Sequence, residues 1–377
     1  MPIRTALVVG GGIAGLSAAI SLGKRGVACS VIDLYGHTEG ASIGITSRAV
    51  HALEELGVLD ECRANGIALE GGGSIFDRMF DSAGNLLPAP PRPPMNVDTR
   101  LPAAVTIFRP ELARILRAAA QAAGASYRTG VSVESLKNLA DGVEVQLSDG
   151  STGSYDLVIG ADGTRSAIRG MIHGPEVRER YTGAMSFRWL LAGGPPIQPG
   201  FYAHADQTLV VIGRLRGEIT YLATGGDMEN RRVEPPEARR FVADILAKYT
   251  APYLVSLRER LDDRQEIIVR PFEWILVPAP WHRGRVTLLG DAAHSSTAHL
   301  SAGGGMALED SVVLGQELER AATVEAGLDA FMARRMPRAT LVVETGVKLI
   351  ELQQAKAPLA VSGMTRGRAL MALAQPY

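Results

Sequence analysis

The spacing of apolar and polar positions predicts a layered α/β arrangement at the start of the chain. Residues 3–9 form a mostly apolar run typical of a buried strand, residues 13–24 a helix of small side chains, and residues 28–33 a second strand. This order predicts a β-α-β unit with parallel strands and a right-handed crossover. Further buried strands are predicted at 155–160 and 285–289, and further helices at 47–56, 110–123 and 306–319.

A different pattern lies between these elements. Short strands separated by turns predominate from 127 to 159 and from 184 to 275, including a hairpin of 208–214 with 218–224. The proline-rich stretch 88–94 predicts an extended surface loop. We therefore predict a discontinuous first domain (1–70, 100–180 and 280–340), an inserted, mainly antiparallel β-sheet domain (71–99 and 181–279) and a C-terminal helical segment (341–377).

Composition narrows the functional classes. The 377 residues are 46% hydrophobic and 21% charged, which is typical of a globular protein with a large core. Lys plus Arg number 39 against 40 Asp plus Glu, so no positive field exists to attract nucleic acid. The only cysteines, Cys29 and Cys62, exclude a disulfide scaffold and a cysteine-rich metal site, and no metal is expected.

The uncharged run at residues 5–23 has a second explanation. Its length would permit a signal peptide or a membrane span. The glycines at 10–12 and at 15 are unfavourable in an isolated helix, whereas a strand, a turn and a helix account for each of them. We therefore expect a cytoplasmic protein that has no membrane partner.

The first motif follows the first predicted strand. Gly10, Gly12 and Gly15 fit G-x-G-x-x-G, whose glycines allow a tight turn, close approach of a pyrophosphate and close helix–strand packing. Asp33 ends the next strand, where a carboxylate can accept a hydrogen bond from a ribose hydroxyl. Glycines alone would also fit a packing turn, but together with Asp33 they predict a dinucleotide site.

Two more predicted strands end near an aspartate. Asp162 follows the strand 155–160, and an N-cap of the next helix explains it equally well. Gly290 and Asp291 follow the strand 285–289, where a carboxylate can accept hydrogen bonds from a polyol chain. The glycine run 303–305 precedes a long helix, whose free N–H groups favour developing negative charge.

These three motifs, in this order and spacing, resemble those of the class A FAD-dependent aromatic monooxygenases, the p-hydroxybenzoate hydroxylase-like flavoproteins. The resemblance extends to about residue 340. It implies that the discontinuous domain is a Rossmann-like FAD-binding domain with a parallel sheet. It also implies that the inserted antiparallel β-sheet domain binds the substrate and that helices end the chain.

The resemblance further implies the residues that hold FAD. Arg109 matches an arginine that contacts FAD, and segment 40–44 resembles one that passes along the ribityl chain and the pyrophosphate. Asp162 matches an aspartate linked to both FAD and the nicotinamide nucleotide. The full expected cofactor set is Gly10, Gly12, Ile13, Ala14, Gly15, Asp33, Leu34, Gly44, Arg48, Arg109, Val133, Asp162, Gly290, Asp291, Gly303, Gly304, Gly305 and Met306.

Three positions depart from the family pattern. Asp33 stands where the family often has Glu, which is a conservative difference. Ala298 replaces a usual proline, so the backbone at the edge of the flavin is not fixed by the resemblance. Arg48 stands where many members have Asn, and it could reach either the FAD phosphates or solvent.

The resemblance implies the following chemistry. NADH or NADPH reduces FAD, and the reduced flavin and O2 form a C4a-hydroperoxide that hydroxylates a small, electron-rich aromatic or heteroaromatic compound. The sequence has no second glycine fingerprint, so NAD(P)H would dock transiently on the FAD-binding domain. We expect the backbone of 303–305 to stabilise the anionic reduced flavin.

The substrate would lie between the flavin and the strands of 184–225. Two residues are acid–base candidates: Tyr221, which could instead be a packed tyrosine, and His299, which could instead be a loop histidine facing water. Alternation places Thr220 and Tyr221 on opposite faces of one strand, and the sequence does not decide which face meets the substrate. The substrate-contact candidates are Arg188, Tyr202, Arg214 and Thr220.

Two threonines bear on the class of substrate. Urate-hydroxylating relatives place an arginine and a tyrosine in the predicted hairpin, where this chain has Thr208 and Thr220. This difference disfavours a purine. Because Arg188 and Arg214 lie nearby in the sequence, we expect an aromatic compound that carries a carboxylate or a phenol.

Other functions could use the same scaffold. An epoxidase, a Baeyer–Villiger oxygenase or a flavin reductase would share the cofactor site, and an inactive dinucleotide-sensing flavoprotein would keep that site without activity. A flavin disulfide reductase would need a Cys-x-x-Cys pair, which the sequence lacks. The sequence leaves the oligomeric state open between monomer and homodimer.

Overall fold

The computed structural model describes residues 3–36, 40–70, 78–88, 100–194 and 198–377. The proline-rich stretch predicted at 88–94 lies outside these residues after position 88. The described helices are α1 (Ile13–Gly23), α2 (Arg48–Leu56), α3 (Leu59–Asn65), α4 (Arg109–Ala122), α5 (Ala167–His173), α6 (Pro235–Leu246), α7 (Pro252–Glu259), α8 (Asp291–His294), α9 (Gly303–Arg320), α10 (Val324–Gln354) and α11 (Leu359–Leu373).

The strands account for most of the remaining regular structure. They are β1 (Thr5–Val9), β2 (Ala28–Asp33), β3 (Ser42–Thr46), β4 (Ile67–Leu69), β5 (Met79–Phe80), β6 (Ala104–Phe108), β7 (Ser126–Thr129), β8 (Val133–Asn138), β9 (Val143–Leu147), β10 (Thr152–Tyr155), β11 (Leu157–Gly160), β12 (Arg180–Ala192), β13 (Gly200–Ala203), β14 (Leu209–Leu215), β15 (Ile219–Asp227), β16 (Ile267–Trp274), β17 (His282–Arg283) and β18 (Val286–Leu288).

A parallel sheet forms the centre of the first layer. Its order is β17-β18-β11-β1-β2-β7, and all neighbours except the edge pair β17–β18 are parallel. Val8 pairs with Val31 on one side and with Ile159 on the other. The central strands are apolar on both faces because helices and a second layer cover them. The predicted β-α-β unit is confirmed.

Helix α9 packs against α1, α2 and the small sheet β3-β6-β4, within the same hydrophobic core. The prediction that the glycine run precedes this helix is wrong, because Gly303–Gly305 form its first turn. A side chain at Gly304 would overlap Ile43, and one at Gly305 would lie 2.8 Å from Ala49 Cβ. The absence of side chains therefore lets the first turn of the helix lie directly against its neighbours.

A second hydrophobic core lies under the sheet β16-β12-β15-β14-β13-β5, whose pairs are antiparallel except β13–β5. The predicted hairpin is confirmed as β14 and β15. The prediction that 184–275 is strand-rich missed α6 and α7, which cover one face of this sheet. Each of these helices has a proline in its first turn, where the missing N–H is not needed.

The last two helices close the chain on the first core. Helix α10 runs without a break from Val324 to Gln354, so the predicted limit at residue 340 falls inside it. Leu370 and Leu373 of α11 are buried against the same core. In the ranges that the structure describes, no helix combines the length and the apolar character that a bilayer crossing requires. The arrangement of parallel sheet, antiparallel sheet and C-terminal helices confirms the predicted fold class.

Candidate active site

Four predicted cofactor residues meet at one edge of the parallel sheet. Strands β1, β2, β11 and β18 all end there, which places Gly10, Asp33, Asp162 and Gly290 along a single line of loops. In open α/β sheets, ligands bind in the crevice at the carboxyl ends of the strands. The fold thus brings together residues that lie up to 280 positions apart (10 to 290) in the chain.

Each of the three motif glycines is required, or tolerated, for a different structural reason. Gly10 has a φ of +111°, and a side chain there would overlap the carbonyl oxygen of Ala161. A side chain at Gly15 would overlap the carbonyl oxygen of Gly10. Gly12 has a φ of −82°, which any residue adopts, and a Cβ there would meet no protein atom within 4 Å. Packing therefore requires Gly10 and Gly15, whereas Gly12 borders open space at the start of α1.

Asp33 is held in place with acceptor capacity to spare. Its Oδ2 accepts from the backbone N–H of Gly11 at 2.7 Å, and its Oδ1 accepts from that of Tyr35 at 2.8 Å. Oδ1 also accepts from the Gly36 N–H at 3.4 Å. Each carboxylate oxygen has about two acceptor sites, so Oδ2 can accept a further hydrogen bond. Leu34 is 50% exposed beside it. Val133 is buried at the start of β8, two residues after Val131, whose N–H donates to the Asp33 carbonyl.

Arg109 carries a buried donor that has no acceptor among the described residues. Its Nε is inaccessible to water and unbonded in this part of the chain. Burial raises the pKa of Asp291, and the positive charge of Arg109 opposes this rise, so the two side chains interact electrostatically. A partly buried arginine with an unused Nε donor fits an anionic ligand.

Asp162 accepts hydrogen bonds from free N–H groups at the start of α5, as the N-cap alternative expected, although the N-cap residue itself is Ser166. Its carboxylate accepts from the N–H groups of Ala167 at 2.7 Å and of Ile168 at 3.1 Å, in the first turn of α5. Burial raises its pKa, and these hydrogen bonds oppose the rise. The side chain therefore stabilises the start of the helix that follows the cofactor edge.

The remaining cofactor candidates surround the same crevice. Ile13, Ala14 and Met306 are buried at the starts of α1 and α9, whereas a Cβ at Gly44 would meet no atom within 4 Å. Arg48 points elsewhere, because its Nε donates to the carbonyl oxygen of Ala374 at 3.1 Å. The open positions Gly12 and Gly44, the spare acceptor site on Asp33 Oδ2 and the unused Arg109 donor together fit an extended dinucleotide such as FAD.

A buried ionic cluster that sequence reasoning missed supports the Gly290 turn. Asp310 Oδ2 accepts from the Gly290 N–H at 3.1 Å and lies 2.6 Å from His294 Nε2. Asp310 Oδ1 accepts from Arg335 Nε at 2.7 Å, and Arg335 also pairs with Glu309 at 2.9 Å. Burial alone would raise the pKa of Asp310, but the charges of His294 and Arg335 hold it at about 2.

The second sheet turns one face towards the first core. Thr220 and Leu222 of β15 are buried on the face that α6 and α7 cover. Residues 219, 221 and 223 lie on the opposite face, where Val211 and Phe201 pack into the first core. Alternation in the sequence predicted these two sets, and tertiary packing identifies the one that faces the first core.

The substrate-contact candidates are divided between the two faces. Arg188 and the acid–base candidate Tyr221 lie on the face towards the first core. Tyr202 is 1% exposed and stacks on Phe80 in the second core, and Thr220 is 4% exposed on the same side. Arg214 pairs with Glu218 at 3.9 Å and, in register with Thr220, also belongs to that side. The structure therefore separates Tyr202, Arg214 and Thr220 from the cofactor edge.

His299 lies in a short 3-10 turn (Ala298–Leu300) that ends just before α9. Its Nδ1 is 3.1 Å from Thr297 Oγ1, and its ring centroid is 4.9 Å from that of Phe272. Arg366 Nε lies 3.4 Å from the His299 carbonyl oxygen, and its guanidinium covers the Phe201 ring. Sequence reasoning missed Phe272 and Arg366, because they come from distant segments and belong to no motif.

Burial lowers the pKa of His299 to about 4, and the positive charge of Arg366 adds to this effect. The ring is therefore neutral near pH 7. A base with this pKa is too weak to hold a proton taken from a phenol, so the role open to His299 is a hydrogen bond. Among the described residues, no three His, Cys, Asp or Glu side chains are arranged to hold a metal ion.

Comparisons with known proteins identify a family of FAD-binding proteins. A family model described as "FAD binding domain" matches residues 4–346. The 2-heptyl-3-hydroxy-4(1H)-quinolone synthase of Mycobacteroides abscessus is 32% identical over 336 residues, which cover 85% of this chain and 83% of that protein. The FAD-dependent urate hydroxylase of Klebsiella pneumoniae is 29% identical over 367 residues, which cover 93% of this chain and 91% of that protein.

A comparison with solved structures also finds FAD-binding proteins of the same fold. The crystal structure of Klebsiella pneumoniae HpxO complexed with FAD and uric acid matches with a TM-score of 0.82 at 26% identity, over 98% of this chain and 96% of that one. The chain belongs to the class A FAD-dependent aromatic hydroxylase family, as the three motifs predicted. FAD binding is therefore supported by the family as well as by the local geometry.

Proposed function

We propose that this protein is a monooxygenase that uses FAD, NADH or NADPH, and O2 to hydroxylate a small, electron-rich aromatic or heteroaromatic compound. The observation that carries the proposal is the juxtaposition of two features. The crevice bordered by Gly12, Asp33 and Arg109 fits FAD, and the sheet face with Arg188 and Tyr221 turns towards the same core. The relatives named above support the same chemistry, since one is named a FAD-dependent urate hydroxylase and the other a synthase of a hydroxylated quinolone.

The residues of this chain would bind and orient the cofactor. The turn at Gly10–Gly12 and the start of α1 would face the pyrophosphate, while Asp33 would accept from a ribose hydroxyl. Asp291 would accept from the ribityl chain. When bound, FAD supplies the redox chemistry, in which two electrons from NAD(P)H and one O2 yield a hydroxylated substrate and water.

The first turn of α9 would contribute charge stabilisation. Three successive glycines leave its N–H groups uncovered by side chains, and the helix is 18 residues long. The positive end of its dipole favours negative charge nearby. We assign to Gly303–Gly305 the stabilisation of charge on the reduced cofactor, without a proton transfer by the protein.

The direct test is oxidation of NADH and NADPH in air by the FAD-loaded protein, with and without a panel of phenolic and heteroaromatic acids. We expect at least one compound to accelerate oxidation at least about tenfold. An equal rate with every compound, together with stoichiometric hydrogen peroxide, would instead identify a flavin reductase. A bound flavin that neither nucleotide reduces would favour the inactive dinucleotide-sensing alternative.

His299 gives a pH prediction for the same reaction. Because its pKa is near 4, we expect kcat/KM to show no inflection from His299 between pH 5 and 9. His299→Asn should lower kcat/KM about two- to tenfold, the value of one hydrogen bond, without changing the shape of the profile. Profiles of the two proteins, with His204→Asn as a control outside the site, check this expectation.

One result would contradict the hydrogen-bonding role of His299. An inflection near pH 6 to 7 in the unmodified protein that disappears in His299→Asn would identify His299 as a titrating base.

The lowered pKa of His299 also affects the stability of the fold. The unfolded chain takes up a proton at His299 first, so this residue makes the native state less stable as the pH falls from 6.5 to about 4.

A further inference from the structure

Tyr127 brings a hydroxyl group to the cofactor edge from β7, a strand that contributes nothing to the expected cofactor set. It pairs with Val31, two positions before Asp33 in the neighbouring strand β2. A Cβ at Gly11 would overlap the Tyr127 hydroxyl oxygen and would lie 2.5 Å from Asp33 Oδ2. The two oxygens are therefore within about 5 Å of each other, which is the span of two hydrogen bonds that meet at one oxygen atom.

Gly11 keeps the space between these two oxygens open. It is the middle residue of the G-x-G turn, a position at which the fingerprint itself does not ask for glycine. Its backbone lies outside the left-handed region, so its conformation does not require glycine either. A side chain there would fill the gap between Tyr127 and Asp33. Space alone therefore explains this glycine, and the space lies beside the turn assigned to the cofactor.

The hydrogen of the Tyr127 hydroxyl has no acceptor in the part of the chain that the structure describes. Arg117 Nη2 donates to the hydroxyl oxygen at 3.0 Å, and its guanidinium carbon lies 4.3 Å from the centre of the tyrosine ring. Because Arg117 occupies one acceptor site of this oxygen, the O–H is directed away from the guanidinium. Burial raises the pKa of Tyr127 and the charge of Asp33 adds to the rise, which Arg117 opposes, so the hydroxyl keeps its proton near neutral pH.

Asp33 and Tyr127 therefore offer complementary groups around one small space. Asp33 Oδ2 has a spare acceptor site beside its bond to the Gly11 N–H, and Tyr127 offers a donor. A hydroxyl group both donates and accepts, so a single alcohol on a ligand satisfies both residues. A phosphate oxygen does not fit, since it only accepts and its charge would be repelled by Asp33. The chemistry of this pair matches a sugar hydroxyl.

We propose that Tyr127 and Asp33 together bind one hydroxyl group of the adenosine ribose of FAD, which donates to Asp33 and accepts from Tyr127. This inference rests on the proposed function, because it adds a residue to the same cofactor site. It extends that site to β7 and makes recognition of the ribose a property of two side chains. The contact lies in the adenosine half of FAD, so its loss should change cofactor affinity rather than the chemistry at the flavin.

The test compares FAD with two analogues that lack either the 2′ or the 3′ hydroxyl of the adenosine ribose. Each is titrated into the apoprotein while flavin fluorescence is recorded. We expect the unmodified protein to bind one analogue about 10- to 100-fold more weakly than FAD, because that analogue leaves both side chains without a partner. Tyr127→Phe should weaken FAD binding about three- to tenfold and should change binding of that same analogue by less than about twofold.

Tyr181→Phe serves as the control. Tyr181 is also partly buried, but its hydroxyl donates to the Met228 carbonyl oxygen in the second sheet, so this variant should bind all three ligands normally. Equal weakening of FAD and both analogues in Tyr127→Phe would show a purely structural role and overturn the proposal. Equal affinity of the unmodified protein for the three ligands, or FAD affinity in Tyr127→Phe within about twofold of normal, would also overturn it.

Failure of the proposed function would give a different result. The affinities would follow the expected pattern, whereas the FAD-loaded protein would show no oxygen-dependent oxidation of NADH or NADPH. Absence of FAD binding in the unmodified protein would contradict both proposals at once.

Discussion

Gly12→Val is expected to yield a folded protein that no longer binds FAD. Gly12 has an extended backbone that valine adopts without strain, and a Cβ there meets no protein atom within 4 Å. The only loss to the fold is a poorer N-cap of α1, which costs about 1 kcal/mol. The new side chain would occupy the space that the pyrophosphate needs, so affinity for FAD should fall at least about a hundredfold, or about 3 kcal/mol.

Titration of the apoprotein with FAD, followed by flavin fluorescence, measures this loss. The matched control is Gly170→Val in α5, where a Cβ also meets nothing within 4 Å but which lies outside the cofactor set. Near-normal FAD affinity in Gly12→Val, with the control equally normal, would show that the pyrophosphate does not lie at this turn. Substitutions of Gly10 or Gly15 would be less informative, because they collide with the protein itself.

Arg335→Met is expected to cause a large loss of stability. Arg335 is fully buried and neutralises Asp310 and Glu309, both of which are also buried. Without Arg335, Asp310 keeps only His294 and the Gly290 N–H, and Glu309 keeps Arg338. The buried cluster therefore loses one of its positive charges, which costs about 3 kcal/mol. Because Asp310 accepts from the Gly290 N–H, the change should also loosen the turn that carries Asp291.

Urea denaturation at neutral pH checks this value, with Arg320→Met as the control. Arg320 is a surface arginine with a 67% exposed side chain, and its loss should cost no more than about 0.5 kcal/mol. A similar small cost for both variants would mean that the buried cluster contributes no net stability. The pKa of Asp310, held at about 2, further predicts that the unmodified protein loses this contribution as the pH falls from 3.8 towards 2.

The first sheet could be predicted from the sequence because local signals agreed with one another. The apolar run at β1, the glycines of the turn and the acid at the end of β2 each pointed to the same β-α-β unit. The hairpin of β14 and β15 was equally clear, since apolar alternation and a glycine-containing turn coincide there. The predicted boundaries of α1 and β2 therefore lie within one residue of those observed.

Local signals were weaker where tertiary packing decides the structure. Helices α6 and α7 were missed because their apolar residues are stabilised mainly by packing on the sheet that they cover, which the local sequence does not show. The start of α9 was predicted three residues late, because a glycine run is unfavourable in an isolated helix. In the fold, these glycines are needed because side chains there would collide with Ile43 and Ala49.

The candidate site shows the same limit. Cofactor residues at strand ends could be predicted, because the ends of parallel strands meet at one edge of the sheet. The two candidate arginines, Arg188 and Arg214, could not be distinguished, because only packing shows that their faces differ. Burial and the charge of Arg366 lower the pKa of His299, and its ring lies against Phe272. These contacts join distant segments, so the sequence does not predict them.

The central claim is that one oxygen atom of O2 enters the substrate. We would incubate the FAD-loaded protein with NAD(P)H, ¹⁸O2 and the compound that most accelerates oxidation, and analyse the product by mass spectrometry. The account predicts one ¹⁸O atom in each product molecule, with the other oxygen atom released as water. An unlabelled product, or oxidation of NAD(P)H with all of the label in hydrogen peroxide, would contradict it.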